Sequence, residues 1–355
     1  MKNSIEIDDM LKKVFEANAS DLHITSNLPP TIRVNNVLQP LVGYDALPPE
    51  TVENIIDQLV NENQKLKLIK ERSLDFSYQY KKSARFRINA FFEKGLPALA
   101  FRLIPTVIPT VDELGLPHIL YEFAKLPKGL VLVTGATGTG KTTTLAAMIN
   151  WMNHNRNGHI ITIEDPIEFI FESNKSLIQQ REMYVDTLTW KGAIKSALRE
   201  DIDVLLVGEM RDYKTMAAAI TAAETGHLVL ATLHTNSAAQ TIDRIIDVFP
   251  EHQQIQIRIQ LAAVLEGIIT QTLITGIDKS KMYPALEILI ANDAVRNTIR
   301  EGKTHFIDNI INTSYDIGMR SMERSLAELV KEGKIELEEA LKNTLKPDEV
   351  TRLLG

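Results

Sequence analysis

Cysteine is absent from all 355 residues of the sequence. A disulfide framework and a thiolate metal site are therefore excluded, and the absence fits a reducing compartment. Long apolar runs are also missing, since no stretch approaches the roughly 18 apolar residues of a membrane span. The N-terminal region alternates charged and apolar side chains and lacks the apolar core of a signal peptide. We therefore expect a cytoplasmic protein that contacts a membrane machine only through partners.

A net positive charge is absent as well, because 46 Asp and Glu outnumber 39 Lys and Arg and the formal net charge is −7 at pH 7. A protein that coats nucleic acid needs clustered Lys and Arg to neutralise phosphates, so no direct nucleic-acid partner is expected. The apolar content of 44% is that of an ordinary globular protein. Together with the length, it predicts two or three domains, each with a core of its own.

The pattern of the sequence changes after residue 104. Residues 1–104 mix short helical and strand patterns, which predicts an α+β domain with a tight hairpin turn at residues 35–36. Pro105 and Pro109 then block regular structure. We place a domain linker at residues 105–116.

Residues 117–355 predict a doubly wound α/β domain. Unbroken apolar strands alternate with helices there, and strands that lack alternation are buried on both faces of a parallel sheet. The predicted strands are Leu130–Val133, Ile160–Ile163, Val204–Val207 and Leu228–Ala231. Residues 292–355 are expected to form a mainly helical tail of the same domain.

A phosphate-binding loop is indicated between the first of these strands and the next helix. Its residues fill every fixed position of the pattern G-x-x-x-x-G-K-[ST]. Glycines let backbone N–H groups curl around phosphate, the helix N-terminus adds its dipole, and the lysine adds a positive charge. A glycine-rich turn without a ligand is the alternative, but the flanking strand and helix favour nucleotide binding. The predicted nucleotide-binding residues are Gly135, Ala136, Thr137, Gly138, Thr139, Gly140, Lys141, Thr142 and Thr143.

Hydrolysis needs a group that orients and deprotonates water beside Mg²⁺, and open α/β sheets place such groups at the carboxyl ends of their strands. Glu209 follows the strand 204–207 and is the predicted base. Thr142 is the predicted Mg²⁺ ligand. Glu164, together with Asp165, is expected to contact the ion through water or to contact the attacking water. His234 is the predicted sensor of the γ-phosphate. A solvated loop acid or a helix cap is the alternative for each carboxylate.

His227 precedes the strand that leads to His234. Seven extended residues span about 23 Å, so the two histidines cannot contact one phosphate along a straight strand. His227 is therefore interpreted either as a residue of a subunit interface or as a histidine at a helix end. Two histidines at this spacing, in a chain without cysteine, make a poor case for zinc.

Three arginines are predicted to share one face of a hairpin in the first domain. If the turn lies at residues 94–95, Arg87 pairs with Arg102, and a two-residue slip would pair Arg85 with Arg102 instead. Like charges opposite each other are unfavourable, and an anion would relieve the repulsion. We predict that these arginines act on a nucleotide phosphate of an adjacent domain or subunit, as an arginine finger does. The alternative is pairing with local acids such as Glu93.

The motifs and their order resemble the secretion-type ATPases of type IV pili and type II secretion. SDLHIT (20–25) and RFRINAFF (85–92) are similar to the N-terminal domain of that family. Four further boxes carry the resemblance, namely GATGTGKTT (135–143), ITIEDPIE (161–168), LLVGEMRD (205–212) and ETGHLVLATLHTNSA (224–238). The resemblance therefore covers nearly the whole chain.

The resemblance implies a PAS-like N-terminal domain, a RecA-like ATPase core and a homo-hexameric ring that uses ATP and Mg²⁺. Two features are similar to the pilus-retraction branch. The chain lacks the four-cysteine module of assembly and type II export ATPases, and residues 294–301 read AVRNTIRE, close to the AIRNLIRE element of retraction ATPases. The implied function is a motor for pilus disassembly and twitching motility, which acts on a platform protein at the cytoplasmic face of the inner membrane.

Other interpretations stay open. Val295 and Thr298 depart from the retraction element, which leaves an accessory retraction paralogue, or a traffic ATPase for secretion or DNA uptake, as alternatives. The element could equally be an amphipathic helix that packs on its own domain and exposes Arg296 and Arg300. A nucleotide-gated scaffold would not need Glu209, and a kinase would need an acceptor pocket, for which the sequence has no signature.

Overall fold

The structure is a computed structural model that describes residues 7–17, 19–34, 37–80, 84–104, 107–279 and 281–355. Contacts along the chain divide it into two compact units. The first holds the residues up to Val107 together with Pro166–Ile170, and the second holds Ile108–Asp165 and Phe171–Gly355. The division falls within the segment 105–116, whose action as a linker stays a prediction.

Within the described ranges, the first unit forms a six-stranded antiparallel sheet in the order β3-β2-β1-β6-β5-β4, together with three helices. Its elements in chain order are α1 (Ile7–Glu16), β1 (Asp21–Thr25), β2 (Thr31–Val34), β3 (Val37–Pro40), α2 (Pro49–Leu59), α3 (Glu62–Glu71), β4 (Ser73–Tyr80), β5 (Ala84–Glu93) and β6 (Leu96–Ile104).

Burial in the first unit follows the periodicity of the sequence. The face of α1 that packs on the core consists of Ile7, Met10, Leu11 and Val14, at helical spacing. The β5–β6 hairpin turns at Lys94 and Gly95, with φ of 52° and 81°. Positive φ at both central residues is typical of the type I′ turn, whose twist matches that of the strands. The hairpin predicted at 94–95 is confirmed, whereas the turn predicted at 35–36 lies outside the described residues.

The second unit is built on a seven-stranded sheet in the order β13-β12-β7-β11-β10-β8-β9. All neighbouring strands run parallel except β13, which is antiparallel to β12. The elements up to the end of the sheet are α4 (Ile119–Lys125), β7 (Gly129–Thr134), α5 (Lys141–Asn155), β8 (His159–Glu164), β9 (Leu177–Glu182), α6 (Trp190–Ala197), β10 (Val204–Val207), α7 (Tyr213–Glu224), β11 (Leu228–Leu233), α8 (Ala238–Asp247), α9 (Glu251–Val264), β12 (Leu265–Thr275) and β13 (Met282–Ile290).

The central strands β7, β10 and β11 are buried at every residue, as their unbroken apolar runs predict. The predicted fold class, a strand-rich N-terminal domain followed by a parallel-sheet core, is confirmed. The C-terminal part is mainly helical, with α10 (Asp293–Glu301), α11 (Ile307–Thr313), α12 (Met322–Lys331), α13 (Leu337–Lys342) and α14 (Pro347–Leu354). Among the described residues, no helix combines the length and the apolar character needed to cross a membrane.

Helix α10 carries the AVRNTIRE segment, and Arg296 on it is a structural residue. Its guanidinium donates to the backbone oxygens of Ala262 and Ala263 at 2.8 and 3.1 Å and pairs with Glu266 at 3.0 Å. Arg296 therefore caps the C-terminal end of α9, where carbonyl groups lack partners within the helix. Its side chain is only 19% exposed, so the expectation of an exposed arginine is wrong here, while Arg300 is exposed.

We predict that Arg296→Ala lowers the free energy of unfolding by about 1–3 kcal/mol, because it removes three hydrogen bonds and leaves Glu266 without its partner. Urea unfolding followed by circular dichroism measures the change in midpoint. Arg300→Ala on the same helix is the matched control, and a change within about 0.5 kcal/mol is expected for an exposed side chain. Equal losses in the two variants would contradict the capping role.

Candidate nucleotide site

The loop at residues 135–140 joins β7 to α5 and curls around the ammonium group of Lys141. Its glycines Gly135, Gly138 and Gly140 have φ of 138°, 83° and 85°, values that other residues rarely adopt. The Nζ of Lys141 donates to the carbonyl oxygens of Gly135 and Ala136, each at 2.8 Å. The lysine is only 8% exposed, so its charge is held at the centre of the loop.

Helix α5 begins immediately after this loop, and its N-terminus is open to an anion. Gly140 is the N-cap residue and has no side chain that could accept from the first N–H groups of the helix. Thr142 and Thr143 lie half-buried in the first turn. Free N–H groups and the helix dipole favour a phosphate at this end. The geometry therefore suits all nine predicted nucleotide-binding residues, whose roles stay a prediction.

Two residues of β12 support the loop, and sequence reasoning missed both. The hydroxyl groups of Thr270 and Thr134, the last residue of β7, lie 3.0 Å apart. The amide of Gln271 bonds to the backbone of Thr139 and to the hydroxyl of Thr144. Polar residues that interrupt a buried apolar strand were the available signal, because a buried polar side chain needs a partner.

The predicted base and the predicted sensor meet at the carboxyl ends of neighbouring strands. Glu209 follows β10, His234 follows β11, and the Nε2 of His234 lies 3.2 Å from the Oε1 of Glu209. The same carboxylate oxygen lies 2.8 Å from the Nε of Arg211, which sequence reasoning did not single out. Since β11 separates β10 from β7, the strands that lead to Glu209 and to the phosphate loop are two strand spacings, about 10 Å, apart. That span leaves room for a phosphate and a water.

The protonation of Glu209 is set by opposing effects. Partial burial alone would raise the pKa of this carboxyl, because a charged group loses hydration. The hydrogen bond from Arg211 and the charges of Arg211 and His234 outweigh burial and hold the pKa of Glu209 below its ordinary value. Glu209 is therefore ionised at neutral pH, as a general base must be.

Glu164 ends β8, three strand spacings or about 14 Å from β7. It is buried, and its carboxylate accepts from the Thr162 hydroxyl at 2.7 Å and from the Gln180 amide at 3.3 Å. Its predicted contact with a metal through water stays a prediction. The Nδ1 of His227 lies 3.0 Å from the backbone oxygen of Ala222, at the end of α7, which fits the interpretation as a helix-end histidine.

The arginine face of the first unit has the first of the two predicted registers, with Arg87 directly opposite Arg102. Asp21 is the register partner of both Arg33 and Arg102 on the two strands that flank β1. Its carboxylate lies 3.1 Å from the Nε of Arg102 and 3.9 Å from the Nε of Arg33. Because register partners share a face, Arg33, Arg102 and Arg87 form a row of cations across the sheet, with one acid among them.

Local partners of the predicted arginines are found within the same unit. Arg85 donates to the hydroxyl of Ser77, and a guanidinium nitrogen of Arg87 lies 3.9 Å from Glu168. The local acid that the sequence suggested, Glu93, pairs with Lys94 instead. Arg102 keeps 73% of its side chain exposed. The row is therefore accessible to an anion, and its action on a nucleotide stays a prediction.

The fold and the site together define a P-loop nucleotide-binding core of the RecA-like kind, with a carboxylate and a histidine on the strand ends beside the loop. Comparisons with known proteins agree. The model of the family described as type II/IV secretion system protein matches residues 3–309. The chain belongs to this family, and the resemblance to its ATPases that the motifs indicate is confirmed.

Individual relatives make the match more specific. The type IV pilus retractation ATPase PilT of Pseudomonas aeruginosa is 43% identical over 344 residues, which are 97% of this chain and 99% of that protein. A twitching motility protein of Neisseria gonorrhoeae is 47% identical over 311 residues, covering 88% of this chain and 83% of that protein. A crystal structure of the pilus retraction motor PilT with bound ADP has a TM-score of 0.91 and 42% identity, and the match covers 98% of this chain and 99% of that one.

We predict that Arg211→Ala moves the acidic limb of the pH profile of kcat to higher pH. The predicted base, Glu209, must be ionised to act, so activity should fall as pH drops through its pKa, which Arg211 lowers. ATPase rates measured between about pH 4 and pH 8 would show the shift. Arg211→Lys keeps the charge, so its acidic limb should lie at a pH between those of the unchanged chain and of Arg211→Ala. Superimposable profiles of the three proteins would contradict the role of Arg211.

Proposed function

We propose that this chain is a motor that hydrolyses ATP to power type IV pilus retraction and thereby twitching motility. The observation that carries the proposal is the match over nearly the whole chain to a protein named for retraction. The absence of cysteine supports the same function, because the resemblance implies a four-cysteine module in the assembly and export ATPases of this family. Glu209 next to His234 supports hydrolysis rather than nucleotide binding alone.

The geometry suggests a role for each part of the site. The loop 135–140 and the first turn of α5 would bind the β- and γ-phosphates. The ammonium group of Lys141 would then donate to the phosphates instead of to the loop carbonyls. Glu209 would take a proton from water while the oxygen of that water bonds to the γ-phosphorus. The bond between the γ-phosphorus and the β–γ bridging oxygen breaks in the same step, and ADP leaves with that oxygen. His234, which already contacts Glu209, would report the presence of the γ-phosphate.

We infer that Mg²⁺ accompanies the nucleotide. Oxygen ligands suit this ion, and the half-buried hydroxyl of Thr142 supplies one at the edge of the sheet. Thr142 would hold the ion and Glu164 would contact it through water. When bound, the ion neutralises phosphate charge during transfer. The residues present therefore fit the metal that the family resemblance implies.

A ring would give the three predicted arginines a function. We propose a homo-hexamer in which Arg85, Arg87 and Arg102 complete the nucleotide site of a neighbouring subunit, with residues 105–116 as the hinge. The exposure of Arg102 supports this role. The motor would act on a platform protein at the cytoplasmic face of the inner membrane. An accessory retraction paralogue is the second candidate, favoured by the departures at residues 295 and 298.

We predict that Glu209→Gln keeps ATP binding and loses phosphate release, because an amide cannot accept the proton of water. In the host, a strain that carries only this variant should display surface pili that do not shorten, as should a deletion strain. Phosphate release by purified protein and microscopy of labelled pili measure the two effects. Loss of surface pili on deletion would contradict a retraction function, and normal turnover by the variant would contradict the base assignment.

We predict that Arg85→Ala, Arg87→Ala and Arg102→Ala each lower the ATPase rate at least about tenfold without loss of folding, since an arginine finger stabilises charge in the transition state. The rate is measured on the assembled protein, with circular dichroism as the folding check. Lys94→Ala is the matched control, because Lys94 is an 87% exposed cation at the turn of the same hairpin. Unchanged rates in all three arginine variants would contradict the finger role.

A further inference from the structure

Gln271 lies on β12 directly behind the phosphate-binding loop and is only 4% exposed. Its Nε2 donates to the carbonyl oxygen of Thr139 at 2.7 Å, and its Oε1 accepts from the hydroxyl of Thr144 at 2.7 Å. A backbone carbonyl can only accept, so the nitrogen of the amide must face Thr139. One side chain therefore joins the loop to the first turn of α5.

The glycines at the two ends of the loop pack against the same residue. A Cβ atom on Gly135 would lie 2.3 Å from the backbone oxygen of Gln271, and a Cβ atom on Gly140 would lie 2.9 Å from its Nε2. The backbone oxygen cannot move aside for a side chain at Gly135, whereas at Gly140 the amide end of Gln271 would have to shift. Both positions also have the positive φ that favours glycine. The loop is therefore in close contact with β12.

The bond to Thr139 also fixes the orientation of one peptide group. The peptide between Thr139 and Gly140 is planar and trans, so its C=O and its N–H point in opposite directions. With the C=O held toward Gln271, the N–H of Gly140 points away from β12. A phosphate that accepts from this N–H would therefore bind on the side away from Gln271.

We propose that Gln271 is a positioning residue for phosphate binding. Its amide holds the 139–140 peptide in the orientation that presents the N–H of Gly140 to the nucleotide, and Gln271 does not contact the nucleotide. The bond to Thr144 is a separate contact, because it joins the side chain of Gln271 to α5 and does not involve the 139–140 peptide. The inference rests on nucleotide binding at this loop and is independent of what the motor moves.

Two substitutions test this role. Gln271→Met keeps the length of the side chain and removes both hydrogen bonds, whereas Gln271→Glu keeps an acceptor for Thr144 and places an oxygen against the carbonyl of Thr139. Both should raise the Kd for ADP at least about tenfold, the effect of losing one well-oriented donor to a charged group. The KM for ATP should rise in parallel, while kcat falls less than about threefold, since the N–H binds ground state and transition state alike.

Thr144→Val is the matched control, because it removes only the other bond of Gln271. It should raise the Kd for ADP less than about threefold, since the bond to Thr139 remains. Titration calorimetry with ADP measures the affinities, and thermal unfolding without nucleotide shows whether each variant folds. If Gln271→Met does not fold, the comparison of Gln271→Glu with Thr144→Val still tests the proposal.

Two results would overturn the proposal. One is ADP affinity in folded Gln271 variants equal to that of the unchanged chain. The other is a loss in Thr144→Val as large as in the Gln271 variants, which would assign the effect to the anchoring of α5. Normal ADP binding by the unchanged chain combined with normal pilus shortening in a deletion strain would contradict only the motor function.

Discussion

The parallel pairing of β7 with β11 on one side and β12 on the other is the constraint on which the nucleotide site depends. Thr134, the last residue of β7, is the register partner of Leu233 and of Thr270. The residues that follow these partners, namely the loop, His234 and Gln271, therefore lie at the same level of the sheet. A one-residue slip of β12 would turn Gln271 to the opposite face and leave the loop without its support.

Much of this arrangement was predictable because local patterns carry it. Central strands have unbroken apolar runs, the phosphate loop has fixed residues at fixed spacing, and the hairpin at 94–95 has a turn residue that accepts positive φ. β12 escaped prediction because Thr270 and Gln271 interrupt its apolar run. The same two residues support the phosphate loop, so the apolar pattern that predicts a buried strand is broken at the residues that form the site.

Other contacts could not be predicted because they depend on loop conformation or on distant pairing. Arg211 is two residues from Glu209, yet only the path of the chain after β10 brings its guanidinium to the carboxylate. Asp21 enters the arginine row through its register with Arg33 and Arg102, which no local pattern specifies. Arg296 looked exposed on an amphipathic helix, and its role as a cap depends on where α9 ends.

The lowered pKa of Glu209 has two opposing effects on its action as a base. An ionised carboxylate can accept a proton at once, but a carboxylate with a lowered pKa is also a weaker base. Arg211 contributes most of the lowering and is 75% exposed, so its position is not fixed by packing. Any event that draws Arg211 away would strengthen the base at the moment of displacement, whereas burial of Glu209 alone would leave it prone to protonation.

The supports of the phosphate loop come from far along the chain, and this order matters during folding. The hydrogen bonds from β12 to the loop and to α5 join residues 127 to 136 positions apart. During synthesis the loop leaves the ribosome long before its backing strand exists, and long-range parallel pairing is slow. A nascent chain that lacks β12 therefore has the sequence of a nucleotide site but not its shape. On the proposal for Gln271, the loop would reach its full affinity for nucleotide only after β12 has paired with β7.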